Sequence, residues 1–443
     1  MGPKRQYFVY LHKVLSFLLS FYFYLAPEAK KEYTVNTLLR YRVKAQEMRC
    51  LMAGSSFGTI FRVTTFGESH GYSLGAVIDG CPSGIPISEE QIQNYLDLRK
   101  PGQTTYSTPR REQDKIRILS GVFEGKTTGT PILLLAENES QRSSDYSEIA
   151  SYYRPGHADY TFDEKYGFRD YRGGGRSSGR ETLGRVAAGA IAIEFLKSLG
   201  IEICAYTKSI GNITCEKNDY ISNLTEDNRE NEVVLFDRIS SAGLNKLRTD
   251  KLASPLYMPD ADASLSAENT LLKAMGEHDS LGGIIECVVS GMPTGIGEPV
   301  FDKLDASLSK AILSIGSVKG FELGAGFSVA QMRGSDNNDA FVLNEGCVRK
   351  ATNHAGGILG GMSDGSDIVF RAAIKPTPSI FAEQNTVNKS GEEISVQIKG
   401  RHDPVIVPRA VVVVKAMTAL TIADALLVNM GAQADKVKKF YNR

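Results

Sequence analysis

Residues 154–185 combine the residue types that bind a multiply charged anion. The segment reads RPGHADYTFDEKYGFRDYRGGGRSSGRETLGR, so a run of arginines surrounds the triple glycine at 173–175. Glycine adopts backbone conformations that side chains forbid, and Ser177 and Ser178 lie where we predict a helix to expose unpaired N–H groups. Fixed positive charge at a helix N-terminus predicts an anion-binding cradle. A solvated basic loop is the alternative that this segment alone leaves open.

Two histidines lie in settings that suit proton transfer. His70 follows a predicted strand within FGESHG, and His157 lies in RPGHAD at a predicted turn. Imidazole titrates near neutral pH and serves as a general acid, although a hydrogen-bonded turn histidine is the alternative at both positions. The neighbouring Arg154 would lower the pKa of His157 and Asp159 would raise it, and the sequence does not decide between them.

Four further segments carry weaker signals of ligand binding. They would contribute to the same anion-binding site if the fold brings them together. Arg401 and Asp403 point to one side of an extended segment, as an anion clamp and a base or as an exposed ion pair. The glycine-rich loop 352–361 allows close approach of a ligand, and the stiff turn KPTPS at 375–379 offers hydroxyl groups. The second basic loop, 99–111, indicates a ligand with negative charge in several places. Each segment is also compatible with an ordinary surface turn.

The composition excludes several functional classes. The chain has 443 residues, 51 Lys+Arg against 51 Asp+Glu and no net charge, which argues against a nucleic-acid-binding protein. It contains no P-loop, no G-x-G-x-x-G after a strand and no H-E-x-x-H, so a Walker NTPase, a Rossmann dehydrogenase and a zincin are disfavoured. The six cysteines show no C-x-x-C spacing, which predicts reduced thiols and no metal site.

Residues 1–51 form an apolar leader that we assign as an extension outside the fold. The stretch 7–26 is mostly apolar but is interrupted by charge, and it is short for a membrane-spanning helix. A signal anchor or a signal peptide is one interpretation. The other, which we favour, is that translation starts at Met48 or Met52. We therefore predict a single domain over 52–435 and a cytoplasmic location, with organelle targeting or membrane tethering as the alternative if the leader is genuine.

The predicted elements give an α+β fold. Ser88 with Gln91 three residues later predicts the capped start of a helix. The helices predicted at 180–199 and after Pro408 are apolar on nearly every side, which indicates interior layers covered on two faces. We predict one large sandwich with helices between sheets, a further helix at 299–313 and a polar excursion at 216–250. The predicted strands span 57–65, 73–79, 115–123, 130–136, 283–291, 317–324, 367–374 and 394–399.

Taken in order, the motifs resemble those of the chorismate synthase family over the chain from about Met52 almost to its C-terminus. The matching segments are SFGTIFRVTTFGESHG (56–71), RPGHADYTFDEKYGFRDYRGGGRSSGRET (154–182), HDSLGG (278–283), GEPVFDKLDA (297–306), TNHAGGILGGMSDG (352–365), KPTPSI (375–380) and GRHDPVIVPRA (400–410).

The resemblance implies a homotetrameric enzyme with a β-α-β sandwich fold, in which interior helices lie between antiparallel sheets. It implies removal of phosphate from 5-enolpyruvylshikimate 3-phosphate to give chorismate, the last step of the shikimate pathway in aromatic amino acid biosynthesis. Family members require reduced FMN although the reaction has no net redox change. NADPH reduces the flavin in some members, and a separate flavin reductase is the alternative source of electrons.

The resemblance also carries residue roles, matched motif by motif. His70 resembles the histidine that protonates the leaving phosphate, and His157 resembles the one that protonates or stabilises the reduced flavin anion. Asp403 resembles the base that works with the flavin to remove a ring proton. The positions that match the flavin site are Arg176, Ser177, Ser178, Gly316, Ser317, Gly360, Lys375, Pro376, Thr377, Pro378, Ser379 and Arg401. The positions that match substrate-holding residues are Ser69, Arg99, Arg110, Arg154 and Arg180.

The chain departs from the family pattern at two places. Thr105 stands where the family usually has an arginine, and Gly316–Ser317 replaces the usual Asn-Ala before VKG. The first change puts affinity for substrate or NADPH in question, and the second removes a side-chain amide near the flavin. Two other functions remain open from the residues: a non-catalytic protein that binds polyanions or RNA, and a flavoenzyme with a different phosphorylated substrate.

Overall fold

The computed structural model describes residues 54–100, 106, 114–138, 148–215, 254–344, 346–398 and 403–442. The described part belongs to one compact unit from Ser55 to Arg443. The leader 1–51, the excursion 216–250 and the positions Arg110 and Arg401 lie outside the described residues. The predictions about them, and the single domain over 52–435, stay predictions.

Runs of strands are separated by helices along the described chain. The strands are β1 (Ser56–Phe57), β2 (Arg62–Gly67), β3 (Ser73–Asp79), β4 (Ile116–Ile118), β5 (Val122–Phe123), β6 (Lys126–Thr127), β7 (Ile132–Glu137), β8 (Glu202–Ile210), β9 (Ile213–Thr214), β10 (Gly283–Ser290), β11 (Val318–Leu323), β12 (Phe341–Asn344), β13 (Cys347–Lys350), β14 (Ile358–Leu359), β15 (Met362–Ser363), β16 (Ile368–Ile374), β17 (Gln384–Val387) and β18 (Glu393–Val396). The helices are α1 (Glu89–Asp97), α2 (Asp159–Tyr166), α3 (Thr182–Ser198), α4 (Ala261–Gly276), α5 (Leu304–Leu313), α6 (Gly334–Asn337), α7 (Val407–Asn429) and α8 (Ala434–Tyr441).

Two five-stranded antiparallel sheets form the outer layers. The first has the order β1-β2-β3-β7-β4 and the second has the order β11-β16-β10-β8-β9. Along β16, buried residues alternate with half-buried ones, so one face of that sheet is turned to the interior. Short hairpins, among them β12–β13 and β14–β15, extend from this frame.

Helices α3 and α7 lie between the sheets, as the apolar character of both segments predicts. α3 packs on β2, β3 and β7 of the first sheet, and α7 packs on β8 and β10 of the second. The two helices cross closely, because a Cβ on Gly189 would overlap Ala416 of α7. The predicted sandwich with interior helices between antiparallel sheets is therefore confirmed.

Helix α7 is one of the most apolar segments of the described chain. Among the described residues it is the one helix long and apolar enough to span a membrane, and most of it is buried inside the protein. Its polar groups are satisfied internally: the hydroxyls of Thr418 and Thr421 donate to the carbonyls of Val414 and Met417, each at 2.8 Å. Its burial is that of a core helix.

Several element boundaries differ from the prediction. Ser88 accepts from the N–H of Gln91 at 3.1 Å, as expected for the cap of α1. The helix predicted from residue 180 instead begins at Thr182, because two 3-10 turns that contain the Gly-Arg loop precede it. Helices α2 and α4 were not predicted; α2 is short and strongly polar, and its sequence carries little helical periodicity.

Candidate functional site

The loop between β2 and β3 holds His70 in a buried position. His70 is 4% exposed and Ser69 is 6% exposed. The Ser69 oxygen lies 2.9 Å from Nδ1 of His70, and the Ser69 hydroxyl donates to the carbonyl oxygen of Gly173 at 3.2 Å. Because that hydroxyl proton is used on Gly173, the Ser69 oxygen accepts from His70, which assigns a proton to Nδ1. The ring is thus oriented through Nδ1, and Nε2 is not engaged by Ser69.

Position 173 requires glycine, because its backbone lies against the ring of His70. Its φ is +65°, and a Cβ at this position would overlap the ring of His70 and lie 2.6 Å from the Ser69 oxygen. Any side chain here would displace His70 or the loop that faces it. The triple glycine therefore lets the backbone approach a candidate catalytic group, as the sequence indicated for this bend.

The Gly-Arg loop is fastened to the end of β2 by Arg176. Its NH1 donates to the carbonyl of Gly67 at 3.1 Å, and its NH2 donates to the hydroxyl of Thr65 at 2.7 Å. Ser178 accepts from the N–H of Arg180 at 3.3 Å, so it caps a 3-10 turn. Ser177 is exposed and donates to the carbonyl of Gly174 at 2.8 Å.

Asn138, just after β7, joins the His70 loop to Arg180. Its side-chain nitrogen donates to the carbonyls of Glu68 at 3.2 Å and Gly71 at 2.7 Å. Its side-chain oxygen accepts from Nε of Arg180 at 2.7 Å. One amide therefore fixes a predicted substrate arginine relative to the predicted general acid.

Asp114 joins Arg180 to Arg99. One carboxylate oxygen pairs with NH2 of Arg180 at 2.9 Å, and the other forms an ion pair with NH2 of Arg99. Arg99 is 2% exposed, and the side chain of Asp114 is fully buried. The two arginines come from different segments, one after α1 and one before α3, and a single carboxylate holds them together.

Arg409 connects the same group of residues to Asp403. Nε of Arg409 donates to the carbonyl oxygen of Arg99 at 3.0 Å, and NH1 forms an ion pair with the Asp403 carboxylate. Burial lowers the pKa of Arg409, and the nearby charge of Asp403 opposes that shift. We call Arg99, Asp114, Arg180, Asp403 and Arg409 the arginine cluster. Its three guanidiniums and two carboxylates leave one net positive charge.

The segment after Asp403 reaches the KPTPS turn. The carbonyl of Pro404 accepts from the N–H of Leu281 at 2.9 Å, and the neighbouring Ser280 hydroxyl donates to the carbonyl of Thr377 at 2.7 Å. A continuous path of hydrogen bonds and chain neighbours therefore runs from His70 through the arginine cluster to residues 375–379.

His157 lies against this turn with both ring nitrogens engaged. Nδ1 lies 2.9 Å from the carbonyl of Pro155 and Nε2 lies 2.9 Å from the hydroxyl of Ser379. A carbonyl only accepts, so Nδ1 carries the proton and Nε2 of the neutral ring accepts from Ser379. Burial, followed by the positive charge of Arg154, lowers the pKa of His157 to about 4. This decides the question left open by the sequence, because the effect of Asp159 is the smaller one.

Arg154 and Lys375 flank this histidine. Arg154 makes a bidentate pair with Asp159 through Nε and NH2, each at 2.8 Å, so its charge is balanced within the protein. Lys375 donates through Nζ to the carbonyl of Gly156 at 2.7 Å. Burial and the neighbouring charge of Lys319 lower the pKa of Lys375.

Most of the described residues that the sequence singled out meet along this path. The backbone of Ser317 joins it, because its carbonyl accepts from the N–H of Lys375 at 2.9 Å. Gly360 does not meet it through a contact of its own; it lies in the β14–β15 turn with a φ of +61°. The residues brought together are Ser69, His70, Arg99, Arg154, His157, Arg176, Ser178, Arg180, Ser317, Lys375, Pro376, Thr377, Pro378, Ser379 and Asp403.

The glycine-rich loop 352–361 is organised by Asp339. Its carboxylate accepts from the N–H groups of His354 at 2.7 Å and Ala355 at 2.9 Å, and Lys350 pairs with it at 3.1 Å. Burial alone would raise the pKa of Asp339, but hydrogen bonds from Thr352 and the loop N–H groups lower it to about 2. His354 therefore belongs to a structural ion cluster.

Sequence reasoning missed Asp114, Asn138 and Arg409. Asp114 lies within a polar run, REQDK, that resembles an exposed turn. Asn138 follows β7 without a surrounding motif, and Arg409 stands at the start of an apolar helix. The position of Arg409 within GRHDPVIVPRA was the one signal in the sequence, because a partly buried arginine in an apolar segment needs a partner.

No group of three or more His, Cys, Asp or Glu residues in the described ranges is arranged to hold a metal ion. The sequence profile of the chorismate synthase family matches residues 61–427. The chain belongs to the chorismate synthase family. Its activity is that of a chorismate synthase, a carbon–oxygen lyase that acts on phosphates.

Relatives named chorismate synthase resemble the chain over most of its length. The protein from Lachnoclostridium phytofermentans is 62% identical over 394 residues, which cover 88% of this chain and 100% of that protein. The protein from Methanocella arvoryzae is 50% identical over 377 residues, which cover 85% of this chain and 95% of that protein. A crystal structure of chorismate synthase has a TM-score of 0.65 at 30% identity and covers 87% of this chain and 97% of the other.

Proposed function

We propose that the chain catalyses the 1,4-anti-elimination of phosphate from 5-enolpyruvylshikimate 3-phosphate to give chorismate, with a requirement for reduced FMN. This reaction is the last step of the shikimate pathway. The observation that carries the proposal is the path from His70 through the arginine cluster to Asp403, because it joins an acid, anion-binding groups and a base in one site.

The charge of the arginine cluster suits this substrate. The substrate carries one phosphate and two carboxylates, and guanidinium groups bind both kinds of anion through paired hydrogen bonds. Arg99 is buried and the side chain of Arg180 is 9% exposed, so their charge is little screened by water. We assign them to substrate binding, together with Ser69, Arg110 and Arg154.

His70 is the proposed donor of a proton to the leaving phosphate. Ser69 orients its Nδ1, which leaves proton delivery to Nε2. The positive charge of a protonated His70 is one of the groups that lower the pKa of Asp170, so the two side chains lie close together. A positioned general acid of this kind contributes roughly 10²–10⁴-fold to the rate.

Asp403 is the proposed base for the ring hydrogen. Its carboxylate is 8% exposed and is held by Arg409 at the start of α7. A carboxylate held in this way loses little freedom when the substrate binds. Acid and base therefore stand on different segments that the arginine cluster joins.

The residues around KPTPS fit reduced FMN. The hydroxyl of Thr377 is buried without a hydrogen-bond partner among the described residues, so it is open to a polar group of a ligand. Lys375 and Lys319 lie close enough for one to lower the pKa of the other, and an anion between them would be stabilised. Ser379, Ser317 and Arg176 complete the proposed contacts. Bound reduced flavin supplies an electron transiently and so makes removal of the non-acidic hydrogen accessible.

His157 is the proposed partner of an anionic flavin. Without ligands it is neutral at pH 7, because burial and Arg154 lower its pKa. A negative charge placed near the ring favours the protonated form, so ligand binding itself would draw a proton to His157. Ser379 holds the ring in place for this change.

The family properties beyond the reaction are proposed with it. We propose a homotetramer, supported by exposed apolar side chains on the β12–β13 hairpin at Phe341, Leu343 and Val348. A cytoplasmic location is supported by the free thiols of Cys81, Cys204, Cys215, Cys287 and Cys347. NADPH or a separate flavin reductase is the proposed source of electrons, and nucleic acid is not a proposed partner.

The decisive experiment follows phosphate release and chorismate absorbance. Purified protein is mixed with dithionite-reduced FMN and 5-enolpyruvylshikimate 3-phosphate under argon. We expect equal amounts of phosphate and chorismate, and none with oxidised FMN. Protein that binds reduced FMN but releases no phosphate would contradict the proposed reaction and favour another phosphorylated substrate.

A further inference from the structure

Asp114 has the geometry of a residue that positions others. Its side chain is fully buried and lies just before β4, and its φ is +47°, a value that non-glycine residues rarely adopt. Each of its two carboxylate oxygens faces one arginine: one faces NH2 of Arg180 at 2.9 Å, and the other faces NH2 of Arg99. The carboxylate therefore sets the separation and the planes of two guanidiniums.

The alternatives for holding these arginines are limited among the described residues. Arg99 also approaches the carbonyl of Gly179 at 3.5 Å, and Arg180 also donates to Asn138. Nε of Arg99 is buried without a hydrogen-bond partner among the same residues. Without the Asp114 carboxylate between them, the two guanidiniums would face each other as like charges and would move apart.

We propose that Asp114 is a positioning residue that holds Arg99 and Arg180 at the spacing needed to bind the phosphorylated substrate. This proposal rests on the proposed function, because it takes both arginines to be substrate ligands. Asp114 is proposed to act through the arginines, because its fully buried carboxylate forms ion pairs with both of them. It acts on affinity through the geometry of the pair.

Charge and geometry predict opposite effects for Asp114→Asn. The substitution removes a negative charge, so electrostatics alone would strengthen binding of a trianion. It also replaces one carboxylate oxygen by an NH2 group. That group donates hydrogen bonds, but the guanidinium it faces has no acceptor. If the carboxylate positions the arginines, binding must weaken despite the added positive charge.

The test compares Asp114→Asn with wild type in two measurements. The first is the KM and kcat for 5-enolpyruvylshikimate 3-phosphate with reduced FMN. The second is calorimetric titration of the same compound in the presence of oxidised FMN, which reports affinity without turnover. We expect KM and Kd to rise roughly 10- to 100-fold, the range for a lost hydrogen bond to a charged group, with a smaller change in kcat.

Asp424→Asn is the matched control. Asp424 also accepts structural hydrogen bonds, from the N–H groups of Thr59, Ile60 and Phe61 at 2.8, 2.7 and 2.9 Å, but it forms no ion pair with an arginine among the described residues. We expect it to lower the melting temperature and to leave KM unchanged. A merely structural role for Asp114 would reproduce this pattern and overturn the proposal.

Asp114→Glu keeps the charge but displaces it by one methylene. We expect its KM to lie between those of wild type and Asp114→Asn. If Asp114→Asn does not fold, a wild-type KM for Asp114→Glu overturns the proposal. KM or Kd for Asp114→Asn equal to or below the wild-type value also overturns it. Wild-type protein that neither binds nor converts the substrate would instead refute the proposed function, so the two failures are distinct.

Discussion

Nε of Arg409 donates to the carbonyl oxygen of Arg99 at 3.0 Å, and this bond joins two segments that are 310 residues apart in sequence. Arg99 is a proposed substrate-binding residue, and Arg409 holds the proposed base Asp403. The distance between bound substrate and base therefore depends on one guanidinium. This relationship gives the first prediction.

Arg409→Lys should lower kcat by about 10²-fold, the cost of a small misplacement of a catalytic group. Lysine keeps the charge but cannot donate from two fixed directions to Asp403 and to the Arg99 carbonyl. KM should change less than kcat, as measured by steady-state phosphate release. Arg62→Lys, at an exposed ion pair with Asp79, is the control and should behave as wild type. Equal activity of Arg409→Lys and wild type would contradict the role of Arg409.

Gly173→Ala should reduce turnover sharply, because the new Cβ would overlap the His70 ring. Gly167→Ala is a matched control: its φ is also positive, +79°, but nothing lies within 4 Å of its Cβ. Both substitutions carry similar backbone strain, so a difference in kcat reports the displacement of His70. If both variants lose the same activity at the same melting temperature, backbone strain is the cause and the contact is irrelevant.

His70→Ala should lower turnover by roughly 10²–10⁴-fold if the ring is the general acid. Single-turnover phosphate release with reduced FMN measures this step directly. Ser69→Ala removes only the group that orients Nδ1, so its loss should be smaller. Thermal unfolding of each variant establishes that it is folded. Unchanged phosphate release in His70→Ala would remove this histidine from the mechanism.

The lowered pKa of His157 predicts a pH dependence of stability. Its pKa is about 4 in the folded protein and about 6.5 when unfolded. Between these values the unfolded chain binds a proton that the folded chain does not, so stability falls as the pH drops from 6.5 to 4. For this group the loss between pH 7 and pH 5 is about 2 kcal/mol.

Urea unfolding at pH 7 and pH 5 checks this prediction. His157→Asn should lose less stability than wild type on acidification, because the titrating group is gone. His278→Asn removes an exposed histidine at a φ of +62°, which asparagine tolerates, and controls for loss of an imidazole as such. The same pH dependence in wild type and His157→Asn would show that burial does not lower this pKa.

The layered architecture could be predicted from the sequence, because strands and interior helices leave regular patterns of apolar residues. The strand at Ser73–Asp79 was predicted with its observed bounds, and the interior helices were evident from their apolar character. The start of α3 was less accessible, because the turns before Thr182 depend on Arg176 bonding to β2. That contact is tertiary and leaves no local pattern.

Part of the candidate site could also be predicted from the sequence, but for a different reason. Residues in glycine-rich or proline-rich motifs, such as His70 and Ser379, are marked by their neighbours in the chain. Asp114 and Asn138 act between segments, so their importance is visible only when Arg99, Arg180 and the His70 loop are brought together. Sequence reasoning identified the groups that meet a ligand more readily than the groups that hold them.

Helix α7 begins beside Asp403 and then runs between the two sheets. Its first turn carries Arg409, and its next turns fill the centre of the protein. The proposed base is thereby anchored to a helix that is packed in the core of the protein. A substitution that loosens the packing of Val411 or Val414 should therefore slow the reaction at temperatures well below those at which the chain melts.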